Sequence, residues 1–447
     1  MRAVVVGMAV TGQAVVRALL ARGWHVDGVD DRPSPEVHAA AAGLGIELHE
    51  APSAEELGRL AAGSEIVVVS PGVPQGHPAF SLAGPDGRGP EVMSEIELAS
   101  RWTGARMVAV TGTNGKTTVV TLITRMLEAS GLAALGAGNI GLPLVDAVEQ
   151  IPPGGVLVVE VSSFQLALTR TFRPGVAVWL NVAEDHLDWH PDYAHYVESK
   201  ARIWRNQSGR DVAVVNAEDD QVMTAARTTH PVPARLLTFG PSRGDYHCQE
   251  GRLLTEHGEL IVRADEMPRS LPHDVANGLA AAAAAVSAGA AASACGAALR
   301  TFEGLPHRVS FVRESGGVRF YDDSKATTPA SVLAALAGFD SVVLIAGGRN
   351  KGLDLGALRA GAGHIRSVVA IGDAAGDVEA AFSGLRPVGR AASMGEAVER
   401  AAAAARPGDT VLLSPGCASF DWYSSYAERG RAFQAAVNRL LAGQVAP

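Results

Sequence analysis

Lysine is the scarcest charged side chain in this sequence. Of 38 basic residues only Lys116, Lys200, Lys325 and Lys351 are lysine, and all the rest are arginine. Exposed charge tolerates arginine in place of lysine, so surface composition accounts for the scarcity but not for the four that remain. Each of them stands in a segment crowded with Gly, Thr, Asp or Ser: GTNGKTT, ESKARIW, DDSKATTP and GGRNKGLD. Arginine is a planar, permanently charged fork, whereas lysine is a compact ammonium that can also lose its proton and react. Four places that need a point charge or a free amine are therefore expected.

Other absences bound the answer further. Cys248, Cys295 and Cys417 are isolated, with no C-x-x-C pair, which excludes a disulfide framework and a cysteine-built zinc site and fits a reducing compartment. A net charge of −9 and the lack of any Lys/Arg run exclude the basic footprint of a nucleic-acid binder, leaving small ligands. No apolar stretch is long enough to span a bilayer, and the first residues read as a buried strand, Ala3 to Val6, rather than a secretory leader. A cytoplasmic protein with no membrane partner is the expectation.

At 447 residues, 47% of them apolar, the chain exceeds one core and suggests about three domains. Short apolar runs alternate with helical patterns: Ala3 to Val6, Ile66 to Val69, Met107 to Val110, Val156 to Glu160, Val176 to Asn181, Val212 to Asn216, Val342 to Ala346, Val368 to Ile371 and Thr410 to Ser414. That alternation predicts α/β domains with parallel sheets. Gly/Pro punctuation at Gly84 to Pro90 and at Gly304-Leu305-Pro306 places joins near residues 100 and 302, giving domains 1–100, 101–301 and 302–447. The alanine-rich stretch Ala276 to Leu299 reads as two helices broken at Ser287 to Gly289, because alanine is the best helix former.

Gly7-Met8-Ala9-Val10-Thr11-Gly12 follows the first strand and opens a helix as a dinucleotide fingerprint does, but Ala9 replaces the glycine that lets the backbone approach a pyrophosphate. The pattern therefore suits another nucleotide or a nucleotide sugar. After the next strand, Val26 to Val29, Asp30-Asp31-Arg32 offers carboxylates for ribose hydroxyls and a guanidinium for phosphate, or else a solvated turn.

The sharpest motif runs from Met107 to Thr118, MVAVTGTNGKTT: a buried strand, a glycine loop, then a helix to about Ala129. Backbone N–H groups of Gly112, Thr113, Asn114 and Gly115 can cradle phosphate at the helix start, Lys116 can reach the β/γ oxygens, and Thr117, beside Thr118, can hold Mg²⁺. Glu160 closes another buried strand, where Mg²⁺ needs a second oxygen. The loop after Val176 to Asn181 carries Glu184, Asp185, His186, Asp188 and His190, which reads either as a metal cluster or as caps and surface polarity. Lys200 follows on a helix from Tyr193 to Trp204, where pairing with Glu198 or Asp192 is the plain alternative to a reactive amine.

Taken with the C-terminal segments Gly304-Leu-Pro-His-Arg308, Asp322-Asp-Ser-Lys-Ala-Thr327 and Leu413-Ser-Pro-Gly-Cys-Ala-Ser419-Phe-Asp421, these motifs resemble the Mur ligase superfamily over nearly the whole chain. The C-terminal segments resemble its D-glutamate-adding branch. The resemblance implies a three-domain α/β enzyme: a Rossmann-like N-terminal domain for UDP, a central P-loop ATPase domain, and a Rossmann-like C-terminal domain closing on ATP and the amino acid. It implies an ATP-dependent ligase that adds D-glutamate to UDP-N-acetylmuramoyl-L-alanine through an acyl phosphate in peptidoglycan precursor synthesis; a monomer is expected.

By the same resemblance Thr117 and Glu160 serve one Mg²⁺, while His186 and a carbamate on Lys200 serve a second. Asn277 meets adenine, Asp323 ribose, and Arg308 neutralises phosphate. Thr11, Asp31, Arg32 and Ser70 fall on the UDP side, Asn139 is a substrate and phosphate contact, Ser162 and Gln165 are substrate contacts, Lys325 and Thr327 face phosphate and the incoming glutamate, and Lys351, Ser419 and Tyr426 hold the D-glutamate carboxylates.

Overall fold

The computed structural model describes residues 1–83 and 89–443, so most of the expected join at Gly84 to Pro90 lies outside the described residues. Three sheets organise the chain. The first comprises β1 (Arg2–Val6), β2 (His25–Asp30), β3 (Leu48–Glu50), β4 (Ile66–Val69) and β5 (Glu91–Met93), in the order β3-β2-β1-β4-β5. All its pairings are parallel. Alternate residues of β1 enter different cores: Ala3 and Val5 pack with the helix Val10–Ala21, and Val4 and Val6 pack with Leu57 and Ala61 of the opposite face. A strand covered on both sides has to be apolar throughout, which is why β1 and β4 read as unbroken valine-rich runs.

The second sheet has nine strands: β6 (Arg106–Thr111), β7 (Ala134–Gly138), β8 (Val156–Glu160), β9 (Val176–Trp179), β10 (Val212–Asn216), β11 (Arg235–Gly240), β12 (Tyr246–Gln249), β13 (Arg252–Leu254) and β14 (Leu260–Arg263). Their order is β14-β13-β12-β11-β10-β9-β6-β8-β7, placing β6 between β8 and β9. The third sheet joins β15 (Ser310–Ser315), β16 (Val318–Asp322), β17 (Val342–Gly347), β18 (Ile365–Ile371), β19 (Val388–Arg390) and β20 (Thr410–Gly416) in the order β15-β16-β20-β17-β18-β19.

The sheets are mostly parallel, with antiparallel edges at β12-β13-β14 and at β15-β16. Two of these hairpins turn on two residues with positive φ, Glu250-Gly251 at 52° and 71° and Gly316-Gly317 at 58° and 76°. That is the backbone of a type I′ turn, whose twist matches that of its strands. The alanine-rich stretch forms helices Pro272–Ser287 and Ala292–Arg300, broken where expected.

The chain divides into two compact units. The first comprises Met1–Val182, Trp189–Met267 and Ala276–Thr301 and carries the first two sheets; the second comprises Ala183–Asp188, Pro268–Val275 and the residues from Phe302 onward and carries the third. Among the described residues no helix is long and apolar enough to cross a membrane.

Candidate active site

In the first unit, β6 ends at Thr111 and the helix Lys116–Ala129 begins four residues beyond Gly112. Gly115 at its N-terminus has φ 86°, and a Cβ there would meet Asn277 Oδ1 at 2.7 Å. A side chain there is strained by the conformation and would have to displace the Asn277 amide. The loop is braced by Asn181: its carbonyl accepts from Thr113 N at 3.1 Å, its Oδ1 accepts from Asn114 N at 2.8 Å, and its Nδ2 donates to the Asn114 carbonyl at 3.1 Å. This explains why β9 stops at Trp179, two residues short of the expected Asn181. The Thr113 hydroxyl bonds Tyr196 at 3.0 Å, and the Lys116 ammonium donates to the carbonyls of Gly112 at 2.8 Å and Thr113 at 3.0 Å. A glycine turn opening a helix, with a lysine at the first helical position, is the arrangement of an anion cradle.

Lys200, on the helix Tyr193–Ala201, is only 2% exposed. Its Nζ donates to the Gly112 carbonyl at 3.0 Å and lies 4.5 Å from the centre of the Tyr196 ring. Glu198, the alternative partner, instead pairs with Arg202 at 3.5 Å, and Asp192 caps the helix by accepting from His195 N. The lysine therefore belongs to the loop rather than to the helix surface.

Glu160 pairs in register with Val110 on one side and Gly138 on the other. It is 2% exposed; Oε1 accepts from Asn139 Nδ2 at 3.1 Å, while Oε2 is buried with no hydrogen-bond partner among the described residues. An orphaned buried carboxylate oxygen is costly unless a cation meets it, so the oxygen fits a hard metal ion. Ser162 and Gln165 form a capping box: the Ser162 N–H and hydroxyl both donate to Gln165 Oε1 at 3.0 Å, and Gln165 N donates back to Ser162 Oγ at 3.3 Å. Their first duty is to start the helix Ser163–Ala167.

Around the first glycine turn, Ser70 Oγ donates to the Gly7 carbonyl at 2.7 Å, and Thr11 lies in the first turn of the helix Val10–Ala21. Asp30 Oδ2 accepts from Met8 N at 2.8 Å and Oδ1 from Arg32 N at 3.0 Å. Asp30 thus builds the turn, leaving exposed Asp31 and Arg32 to face outward.

In the second unit, His186 has φ 57°, with its backbone N–H on Asp185 Oδ1 at 2.9 Å. His307 and Val309, at φ 62° and 47°, flank Arg308. A β-branched residue in that region is a strained outlier, kept only where its surroundings over-determine it. Here they do: the His307 carbonyl accepts from Lys325 N at 3.1 Å, the Arg308 carbonyl from Arg269 at 2.7 Å, and Val309 N donates to Asp323 Oδ1 at 3.2 Å. His307 Nδ1 also sits 2.6 Å from buried Asp322.

Asp323 accepts from Ser414 Oγ at 2.8 Å, and burial pushes its carboxyl up to about 7. The Lys325 ammonium lies 3.8 Å from the Tyr426 ring centre. Arg429, absent from the sequence reading, is 1% exposed and donates to Ser324 Oγ and O and to the carbonyls of Cys417 and Ala418. It ties the Lys325 segment to the one carrying buried Ser419. Burial lowers its guanidinium to about 10. Paired backbone bonds between Arg349 and Ala418 hold the turn with exposed Lys351 to the same segment, and Asn350 closes that turn through both its side-chain bonds to Leu353. Thr327 directly precedes Thr328, the cap of the helix Pro329–Leu336. Nothing in the sequence pattern marks Arg429, since its partners are a hydroxyl and carbonyls brought in from more than one segment.

A phosphate-cradling loop within mostly parallel α/β sheets defines a nucleotide-dependent α/β enzyme class, and family models narrow it. The Mur ligase MurD-like N-terminal domain matches residues 1–90, the Mur ligase middle domain 110–285, and the Mur ligase glutamate ligase domain 307–417. The chain belongs to the Mur ligase family.

Among its curated relatives, the UDP-N-acetylmuramoylalanine–D-glutamate ligase of Frankia casuarinae is 45% identical over 97% of this chain and 93% of the relative. That of Pelobacter propionicus is 42% identical over 98% and 99%. Among solved structures, the UDP-N-acetylmuramate-alanine ligase of Thermotoga maritima aligns with TM-score 0.60 at 20% identity, over 99% of this chain and 100% of that one. A pseudomurein peptide ligase type C of Methanothermus fervidus gives 0.62 at 18%, over 98% and 99%. These structures share the three-domain α/β fold.

Proposed function

We propose that this protein is an ATP-dependent ligase that joins D-glutamate to UDP-N-acetylmuramoyl-L-alanine. The observation that carries the reading is full-length kinship with curated ligases of that specificity in a chain whose glycine loop, buried Lys200 and orphaned Glu160 oxygen are all intact. Residues 1–100 take the UDP portion, 101–301 the ATP, and 302–447 the D-glutamate.

The L-alanyl carboxylate attacks the γ-phosphorus of ATP, forming an acyl phosphate and releasing ADP. The D-glutamate amine then adds to the acyl carbon, loses a proton, and inorganic phosphate leaves with the C–O bond as the amide forms. Carboxylate and triphosphate repel, so the approach needs cations. Lys116 supplies one at the loop, where N–H groups from Gly112 to Thr118 cradle phosphate, and Arg308, aimed by its strained turn, supplies another.

Mg²⁺, when bound, neutralises phosphate charge; Thr117 and Glu160 suit one ion, and His186 and a carbamate on Lys200 are assigned to a second. Asn277 and Asp323 orient the nucleoside. Asn139, Ser162 and Gln165, with Thr11, Asp31, Arg32 and Ser70, bind the UDP substrate, and Lys325, Thr327, Lys351, Ser419 and Tyr426 hold D-glutamate.

Phosphate release from MgATP and UDP-N-acetylmuramoyl-L-alanine tests this, comparing D-glutamate, L-glutamate, meso-diaminopimelate and no amino acid. Release that depends on D-glutamate is expected; release with another amino acid instead, or with none, overturns the assignment.

A further inference from the structure

The strand order of the first sheet reverses between β1 and β4, and in doubly wound sheets ligands lie in the crevice at such a switch point. The loop leaving β4 carries Ser70, which bonds Gly7, and runs on to His77. The His77 side chain is only 7% exposed, and its Nδ1 accepts from Ala79 N at 3.1 Å. A ring nitrogen that accepts carries no proton, so in the neutral imidazole the proton is on Nε2. Nε2 lies 3.4 Å from Oδ1 of Asp31, on the loop leaving β2. Because β2 and β4 flank β1, this contact bridges the two loops on either side of the glycine turn.

We propose that His77 is a positioning residue for the nucleotide cradle, holding Asp31 so that its carboxylate accepts from the hydroxyl or imide N–H donors of the nucleoside. Asp30 cannot fill that role, since both its oxygens are engaged by the backbone of Met8 and Arg32. Asp31, with a side chain 49% exposed, is the carboxylate presented outward, and a side chain on an open loop has rotamer freedom to lose on binding. The nearly buried imidazole, with Nε2 3.4 Å from Oδ1, restricts part of that freedom before the ligand arrives. The inference rests on the reading of the N-terminal domain as the UDP site.

The test is His77→Asn in the full-length enzyme. Asparagine keeps a short acceptor for Ala79 N, so the turn survives, but it is too short to reach Asp31. The variant is expected to weaken UDP binding by calorimetry and raise the KM for UDP-N-acetylmuramoyl-L-alanine about tenfold, or about 1.4 kcal/mol, with kcat, the KM for ATP and the melting temperature unchanged. In an Asp31→Asn background the same change adds less than about twofold, because the partner is already altered. Equal losses in both backgrounds, no loss, or a parallel rise in the ATP KM overturn the positioning role. Wild-type protein that binds no UDP overturns the underlying site reading, an outcome distinct from normal UDP binding by His77→Asn.

Discussion

Lys200 shows how much chemistry can depend on one side chain. Taking a lysine to 2% exposure is costly, and a carbonyl 3.0 Å away and a tyrosine ring are among the groups that offset that cost. An amine can add CO₂ and become an anionic carbamate; a guanidinium cannot. Lys200→Arg is therefore expected to leave no detectable D-glutamate-dependent phosphate release while ATP affinity, measured by calorimetry, stays within about threefold. Wild-type turnover in the variant would remove the carbamate from the mechanism. The sequence singled out Lys200 through lysine scarcity, yet left helix-surface pairing open. Its contact with Gly112 spans 88 positions, and no local pattern carries a contact of that range. Arg429 was illegible for the same reason.

At the scale of elements, apolar runs carried the strands that are apolar on both faces and alanine's helix propensity both alanine-rich helices, but neither carried the edges. The Ser-Gly-Gly-Val turn between β15 and β16 was a readable hairpin signal; the Glu-Gly turn between β12 and β13 was a weaker one, since non-glycine residues rarely adopt positive φ. The helix Leu144–Gln150, which follows the Asn139 loop, has Pro143 at its cap and no side-chain cap of its own. Buried Glu95 takes that place, accepting from Val145 N at 2.7 Å.

Burial pushes the Glu95 carboxyl up to about 7 from its ordinary 4.5. Between those values the native protein holds a proton that the unfolded chain has released, so this group's stabilisation is full below pH 4.5 and declines as pH rises through 7. Asp323 acts in the same direction, whereas Glu97, held low by its hydrogen bonds despite burial, acts below the ordinary carboxylate range. Glu95→Gln, which keeps the acceptor and cannot ionise, is expected to lose less melting temperature between pH 5 and 7.5 than the wild type. Equal slopes in the two proteins would show that Glu95 does not carry the dependence.

For the whole molecule, the number of sheets and the number of compact units differ. Glu97, buried and accepting from the backbone of Arg170, Thr171 and Phe172 as well as from Arg101, ties the connector after the first sheet into the second. Val145 does likewise through Glu95, and one apolar cluster takes Val5 of β1 and Val159 of β8 together. The third sheet instead has cores on its two faces drawn almost wholly from residues beyond 300. Two independent cores need not melt together. Calorimetry is expected to resolve two transitions, and a ligand that binds only the native form of one unit raises that unit's transition alone. UDP, assigned to Thr11, Asp31, Arg32 and Ser70 in the first unit, should therefore raise one transition and leave the other where it was, at a concentration 100 times its dissociation constant by the equivalent of about 2.7 kcal/mol. A single transition that moves as a whole with UDP would mean that all three sheets unfold as one body.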